Sequence, residues 1–423
     1  MRLAMKERQA VLAATAARYR KATKKEKRRI LDELVELTSY SRSYATFVLR
    51  HHGQRVRLTK QTVLVADARQ QSKRERQRYY DEQVVALLVK LWRIMDCICG
   101  KRLAPVLPQL VERLERFGEI SPTAETRAKL LQISAATIDR LLAKERARAS
   151  LKARSRTRPG TLLKQQVPIR TFAEWDELRP GFVEIDLVAH DGGVAAGEYL
   201  YTLCVTDVCT GWTEAEAIKN KAQVWTFEAL CKVQQRLPFA LLGIDSDNGA
   251  EFINAHLINY CQQQQLTFTR SRPYRKNDNC YVEQKNYSVI RRAVGYQRLA
   301  GEGAQAHLNE LYATLRLYTN YCQPSMKLKE KQRIGSRVQK RYDMAQTPYQ
   351  RLLACAEALS EEQQQALREE EAQQNPAALQ RRISSLQQRL LRQAAAAARA
   401  GRAVPTAAAV RESAAASQAS SGR

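Results

Sequence analysis

The apolar positions of this chain change period twice. They are helical up to about residue 147, strand-like in the middle, and helical again towards the end. Residues 1–22 form a basic, Ala-rich helical lead. Thr23-Lys24-Lys25-Glu26 then has the form of a capping box, with Ile30, Leu34 and Leu37 following at helical spacing. Thr38-Ser39-Tyr40-Ser41 breaks the pattern. A second helix over about 42–51 is expected to turn Tyr44, Phe47 and Val48 inward. Helix, short polar turn, helix is the scale of a helix-turn-helix, and it would leave Arg42, Ser43, Thr46 and Arg50 to face a major groove. Residues 53–80 are basic and polar and read as a linker or exposed helix. Two amphipathic helices, Asp81–Met95 and Lys101–Phe117, are expected next. Ser121-Pro122 opens another to Leu131, and Ser134 caps a helix with Ile138, Leu141 and Leu142 on its apolar face. The pattern allows a second helix-turn-helix with Thr137, Arg140 and Lys144 as contacts, or a plain four-helix packing unit.

The middle of the chain changes to period two. Strands are expected at Gly181–Ala189, Tyr199–Asp207 and from Gly211-Trp212 through Ile218. A helix over Lys221–Leu237, ended by Pro238, precedes a strand at Ala240–Ser246. A helix at Ala250–Gln264, a strand at Leu266–Arg270 and helices at Asp278–Leu299 and His307–Tyr321 follow. Three meander strands, then strands alternating with helices, predict an α/β core: a mixed five-stranded sheet with flanking helices. Beyond it, a basic segment leads into helices in which Leu379, Ile383, Leu386 and Leu390 keep helical spacing, a candidate self-association stripe. The Ala/Ser/Arg-rich end reads as disordered. The expected division is 1–65, 66–147, a basic linker 148–173, the core 174–325, basic segment and helices 326–392, and tail 393–423.

Charge narrows the partners. In 423 residues, 70 Lys and Arg against 43 Asp and Glu leave a formal net charge of +27, which calls for a polyanion. A membrane surface is the competing polyanion, but no long apolar span and no signal peptide is seen, so the expectation is nucleic acid in the cytoplasm. The nine cysteines are scattered without a CxxC pair, as suits a reducing compartment. His51-His52 are adjacent and Cys97 and Cys99 too closely spaced for a zinc site, so no structural zinc is expected.

Three carboxylates carry the candidate chemistry. Asp186 lies within FVEIDLV and Asp247 directly after ALLGIDS, both apolar strand runs, where an unpaired charge is costly. Glu283 lies in NDNCYVEQKNYSVIRRAVGYQ, which reads as a helix. Two strand-borne acids and one helix-borne acid can converge. Hard oxygen donors without a Cys or His cluster suit two Mg²⁺ or Mn²⁺ ions, which promote phosphoryl transfer by stabilising attacking and leaving oxygens. The bland reading is three solvated acids, which fits the helix position better than the strand positions.

There are 35 residues between Asp247 and Glu283. With SDNGAEF around Asp247 and RSRPYRKNDNCYVEQKNYSVIRRAVGY around Glu283, this resembles the DD(35)E triad and flanking blocks of retroviral-integrase-like transposases from bacterial insertion sequences. The resemblance spans about Phe182–Tyr321. It implies a ribonuclease-H-like catalytic core with Asp186, Asp247 and Glu283 as metal ligands and catalytic residues. It further implies a DNA transposase that binds the ends of its mobile element, then cleaves and transfers strands. The partners would be double-stranded DNA (terminal repeats and target) and further copies of the chain in a synaptic complex, in the bacterial nucleoid. The family's DNA-contacting lysine, one or two turns after the glutamate, is replaced here by Tyr287 or Ile290, so that contact does not carry over.

Other candidates follow from position. Arg275, Lys276 and Asn277 could hold phosphate just before the glutamate's helix. His190 could move a proton or touch DNA. Helical phase puts Asn279, Asn286, Tyr287 and Ile290 on the glutamate's side, and Lys285 and Arg292 on the opposite, solvent-facing side. Trp212 and Trp225 read as core. Two alternatives stay open: a transposase-derived DNA-binding regulator without catalysis, and a ribonuclease-H-like hydrolase of RNA–DNA hybrids. The first would bind DNA without cutting it, and the second would leave the N-terminal helices unexplained.

Overall fold

The computed structural model describes residues 4–57, 63–65, 79–149, 179–247, 249, 251–271 and 279–403. Arg275, Lys276 and Asn277, nearly all of the basic linker and the last part of the tail lie outside the described residues. The chain divides into two compact units, Met1–Tyr79 and Tyr80–Arg423.

In the first unit α1 (Met5–Lys21), α2 (Lys24–Thr38) and α3 (Arg42–His51) enclose a small core. It is built from Leu12, Ala16, Tyr19, Ile30, Leu34, Ala45, Val48 and Leu49. Glu26 Oε2 accepts the Thr23 amide at 2.8 Å, fixing the start of α2. Ser39 leaves α2 in the left-handed conformation, and Ser41 Oγ accepts the Tyr44 amide to start α3. Tyr44 is not in the core as expected. Ala45, Val48 and Leu49 form the inward stripe at i, i+3, i+4, which leaves Tyr44 on the flank, 51% exposed and edge-on to Tyr40. The stretch read as linker contains an antiparallel hairpin, β1 (Arg55–Arg57) with β2 (Val63–Val65).

The second unit begins with α4 (Glu82–Ile94), α5 (Gly100–Arg116), α6 (Ala124–Leu131), α7 (Ala135–Leu141) and α8 (Ala143–Ala149). Asp81, Thr123 and Ser134 cap α4, α6 and α7 with their side chains. At the start of α5, the Gly100 amide donates to Asp139 Oδ1 at 2.7 Å. A Cβ on Gly100 would lie 2.2 Å from the Ala135 carbonyl oxygen, so only glycine lets α5 and α7 approach this closely.

The sheet follows: β3 (Phe182–Ala189), β4 (Tyr201–Asp207), β5 (Thr213–Ile218), α9 (Gln223–Arg236), β6 (Gly243–Ser246), α10 (Ala255–Gln263) and β7 (Thr267–Arg270). Its order is β5-β4-β3-β6-β7. β3, β4 and β5 are antiparallel, while β6 pairs parallel to β3 and β7 parallel to β6. This is the ribonuclease-H-like arrangement. Both faces are covered, one by α9 and α10, the other by the helices that follow β7.

The first of those helices is α11 (Cys280–Lys285), which widens into a π-helical stretch at Asn286–Arg291 and closes as α12 (Arg292–Val294). It ends at Gly295, whose φ of +80° the expected continuation to Leu299 could not accommodate. Next come α13 (Glu302–Leu317), the hairpin β8 (Leu328–Ile334) with β9 (Arg337–Tyr342), then α14 (Pro348–Ala354), α15 (Glu361–Gln373) and α16 (Pro376–Ala403). The β8–β9 hairpin escaped the sequence reading because its few apolar residues, Leu328, Ile334, Val338 and Tyr342, stand singly among basic and polar ones. Every residue of β9 is exposed, so no apolar face marks it.

Helices α4–α8 belong to the same unit as the sheet. Tyr318 Oη donates to the Ile94 carbonyl at 2.5 Å, Arg102 Nε donates to that of Pro324 at 2.6 Å, and Arg113 pairs with Glu371. The stripe expected to mediate self-association is occupied within the chain: Ile383, Leu386 and Leu390 are buried with α13 residues such as Leu308 and Leu311. Helix α16 also runs on to Ala403, into the stretch expected to be disordered. Alanine, the strongest helix former, lets the packed helix propagate. Among the described residues no helix is long and apolar enough to cross a membrane.

Candidate active site

The topology sets β3 beside β6, and both strands carry acids. Glu184 pairs in register with Asp245 across the parallel ladder. Side chains alternate along a strand, so Asp186, and Asp247 just past the end of β6, lie one pleat further on over the same face. Glu283 stands in the first turn of α11, whose start is held against that face by Glu184: its Oε2 accepts the Val282 amide at 2.8 Å.

Burial, then the charge of Asp247, and also that of Glu283, raise the Asp186 carboxyl to about 7. Burial, and then Glu251, raise Asp247, although the Gly249 amide donates to its Oδ1 at 2.9 Å. Among the described residues no group of three His, Cys, Asp or Glu side chains is drawn together tightly enough to enclose an ion. The arrangement is therefore two half-buried aspartates with Glu283, exposed, in electrostatic reach of Asp186. Mutually repelling hard-oxygen donors fit a hard divalent cation, whose charge would relieve the repulsion.

Supporting contacts surround the aspartates. Asn286 Nδ2 donates to Asp186 Oδ2 at 2.6 Å, in keeping with its expected phase on the glutamate's side. Three further residues escaped the sequence reading: Glu184, Asp245 and Thr269. Burial raises Glu184 to about 8, with the charges of Asp245 and Glu283 adding to it and the backbone amides of Val282 and Tyr281 opposing it. Thr269 Oγ1 donates to Asp245 Oδ1 at 2.5 Å. The available signal was the spacing: each of these acids lies in an apolar run two residues before a candidate catalytic aspartate.

Two expectations are corrected. His190 is fully buried, so it meets neither solvent nor DNA. Its Nε2 bonds Thr202 Oγ1 at 2.7 Å, which in turn bonds the Tyr312 hydroxyl at 2.6 Å. Burial, then the charge of Arg291, push it down to about 3, which keeps the ring neutral. Lys285 does not face solvent. It is half-buried at the wall of a cavity, and burial, together with Arg102, Lys327 and Arg351, lowers it to about 8. Arg292, also expected to face solvent, is exposed but holds Asp96 Oδ2 at 2.7 Å. Trp212 is core, edge-on to Tyr321.

The helix-borne candidates occupy two places. On α3, Arg42, Ser43 and Arg50 are exposed; Arg42 pairs with Asp32, and the Thr46 hydroxyl bonds the Arg42 carbonyl. On α7 and α8, Arg140 and Lys144 are exposed, and Thr137 Oγ1 accepts from Arg140 at 3.1 Å.

The chain carries an integrase core. Residues 177–276 match the family described as "Integrase core domain". The chain is 41% identical over 341 residues, 81% of its length and 93% of the other's, to "Uncharacterized protein y4rM" of Sinorhizobium fredii (strain NBRC 101917 / NGR234). Among solved structures it is similar to the HTLV-2 integrase catalytic core domain in complex with magnesium, with 14% identity, 35% of this chain and 92% of that one covered, and a TM-score of 0.27. It is also similar to the catalytic core domain of BIV integrase, with 18% identity, 42% and 96% covered, and a TM-score of 0.26. The chain belongs to the same family as y4rM and carries an integrase core, the domain of transposase- and integrase-type polynucleotidyl transferases.

Proposed function

We propose that the protein is a DNA transposase that binds the ends of a mobile element and catalyses metal-dependent strand cleavage and strand transfer. The observation that carries this reading is the convergence of negative charge on Asp186 from Asp247 and Glu283, within an integrase core. When bound, a divalent cation pair supplies charge stabilisation at the attacking and leaving oxygens. Asp186, Asp247 and Glu283 would hold it. Asn286 fixes the orientation of the Asp186 carboxylate, and Glu184 fastens the first turn of the glutamate's helix to β3.

DNA binding is supported by charge and shape. Helices α2 and α3, joined by a three-residue turn, present Arg42, Ser43, Thr46 and Arg50, and α6 and α7 are joined in the same manner, with Thr137, Arg140 and Lys144 beyond. Both pairs read as helix-turn-helix elements. The described side chains of the β8–β9 ribbon are all exposed. Lys329, Arg333, Arg337, Lys340 and Arg341 stand exposed along it, a basic surface that suits a polyanion. A two-stranded ribbon fits a DNA major groove. We read the assembly as a homo-oligomer on two element ends.

The test is strand transfer by the full chain with Mg²⁺ or Mn²⁺ and DNA from the flanks of its own gene, beside Asp186→Asn and Asp247→Asn. Joined products from the wild type alone are expected. Equal end binding by wild type and variants, with no cutting in either metal, would overturn the catalytic reading in favour of a DNA-binding regulator.

A further inference from the structure

The helix that carries Glu283 has a second chemical face. Behind it lies a cavity of about 340 Å³, walled by the α4–α5 connection, by the α11–α12 helix and by α16. Three cations reach it from two elements: Arg102 from α5, and Lys285 and Arg292 from the helix of Glu283. Among the described residues one carboxylate lines it, that of Asp96, and Arg292 takes it at 2.7 Å. Arg102 spends its Nε on the Pro324 carbonyl and has no carboxylate at ion-pair distance among the described residues. Lys285 has no hydrogen bond or ion pair there at all.

The cations just behind this wall are already satisfied. Lys327 donates to the carbonyls of Val208 and Cys209, and Arg351 holds Asp343 at 2.7 Å and the Ser325 carbonyl at 2.9 Å. Neither can neutralise Lys285; both add to the positive field around it. An unmatched ammonium and guanidinium half-withdrawn from water are costly, and chains keep such groups where a partner completes them. The remaining lining is rich in neutral donors, among them Gln284, Gln380 and Gln387. Among the described lining residues no second acid is present to attract a metal or an amine.

We propose that this cavity binds the phosphate ester of a nucleotide. An arginine fork and a lysine point charge converging from different elements match a tetrahedral anion with several acceptor oxygens. The volume exceeds that of a lone phosphate and falls in the range of small-ligand sites, leaving room for an attached sugar or base. Two sources share this chemistry: a backbone nucleotide of bound DNA, or a free nucleotide. The first rests on the transposase reading given above; the second does not. In either case the anion would brace the α4–α5 connection against the helix that positions Glu283.

The test uses the full chain, Lys285→Met, Arg102→Gln, and Lys232→Gln as a control on exposed α9. Binding of a labelled random-sequence duplex is followed by fluorescence anisotropy across a salt series, and binding of AMP, ATP and inorganic phosphate by calorimetry. If the source is DNA, Lys285→Met and Arg102→Gln each weaken duplex binding about tenfold and lower the slope of log affinity against log salt by about 0.9 per lost phosphate contact, while the control does not. If the source is a free nucleotide, the same variants abolish AMP or ATP binding and leave the duplex slope unchanged. Thermal unfolding guards against misfolding: ligand-free Lys285→Met should melt above the wild type, because it removes an unmatched charge. The bound ligand should raise the wild-type Tm and leave that of the variant unmoved. Duplex binding with unaltered slope in both variants, together with no nucleotide or phosphate binding, would overturn the cavity proposal and leave the transposase reading standing. Absence of duplex binding with nucleotide binding lost in both variants would do the reverse.

Discussion

Glu184 accepts the backbone amide of Val282 at 2.8 Å, and this bond ties the helix of Glu283 to the strand of Asp186. Val282 lies in the first turn of α11, where an amide has no partner within the helix. Glu184 is therefore a cap supplied from the sheet. Glu184→Gln keeps an acceptor oxygen of the same reach and should retain both stability and strand transfer near neutral pH. Glu184→Ala leaves a buried amide unsatisfied and should cost about 1–3 kcal/mol of stability, with a loss of strand transfer. Denaturant unfolding and end-joining assays on the two variants decide it, and equal behaviour of Ala and Gln would remove the capping role.

The same carboxyl predicts how stability depends on pH. Glu184 and Asp186 titrate at about 8 and about 7 in the fold, against ordinary values of 4.5 and 3.8. A raised carboxyl holds its proton more tightly when folded. Its stabilising contribution is complete below the unfolded value and is lost as pH rises through the folded one. His190, held at about 3 against an ordinary 6.5, has the opposite sign: its contribution is gained as pH rises and is complete above 6.5. Between pH 6.5 and 8 only the carboxyl effect remains of these three. In chelator, the urea midpoint should fall across that window, the fall should be shallower in Glu184→Gln, and Mg²⁺ or Mn²⁺ should oppose it. A midpoint that climbs instead would contradict the burial of these two acids.

Asn286 donates to Asp186 Oδ2 at 2.6 Å from the first residue of the π-helical stretch. Removing a group that orients a metal-holding carboxylate commonly lowers affinity or activity about 10–100-fold. Asn286→Ala should show a loss of that size in strand transfer, a higher Mn²⁺ requirement and an unaltered melting temperature. Full activity at the wild-type metal requirement would show the contact to be incidental.

Leu390, 1% exposed, closes the packing of α16 on α13. Leu390→Ala should destabilise by about 2–5 kcal/mol, measured by denaturant unfolding. A cost near zero would mean that α16 packs against something else, such as a second copy.

What could be read from the sequence and what could not divide along physical lines. All five strands of the main sheet were legible, because an apolar run in a buried strand is a dense, local signal. Asp186 and Asp247 stood out for the same reason, as charges where apolar residues belong. Glu184 and Asp245 lie in those very runs and were passed over, since their roles depend on partners, Val282 and Thr269, that are distant in sequence. The burial of Lys285 was invisible to helical phase: phase says which residues share a side, not whether α16 and the α4–α5 connection will cover that side. The β8–β9 ribbon has no apolar face to announce it. The stripe on α16 was legible as a stripe, but its partner, α13 of the same chain, was not.

Helix α16 touches α13, α12 and α4, and its Arg381 reaches Glu119 beyond the end of α5. It is the last helix of the described chain, yet it spans both the helical bundle and the catalytic layer. During synthesis, every residue of the candidate active site therefore emerges from the ribosome before the element that clamps its surroundings. A nascent chain halted ahead of Ile383 leaves the α13 face bare and the nucleotide cavity without its third wall, so the fold defers completion of that region until α16 itself has emerged.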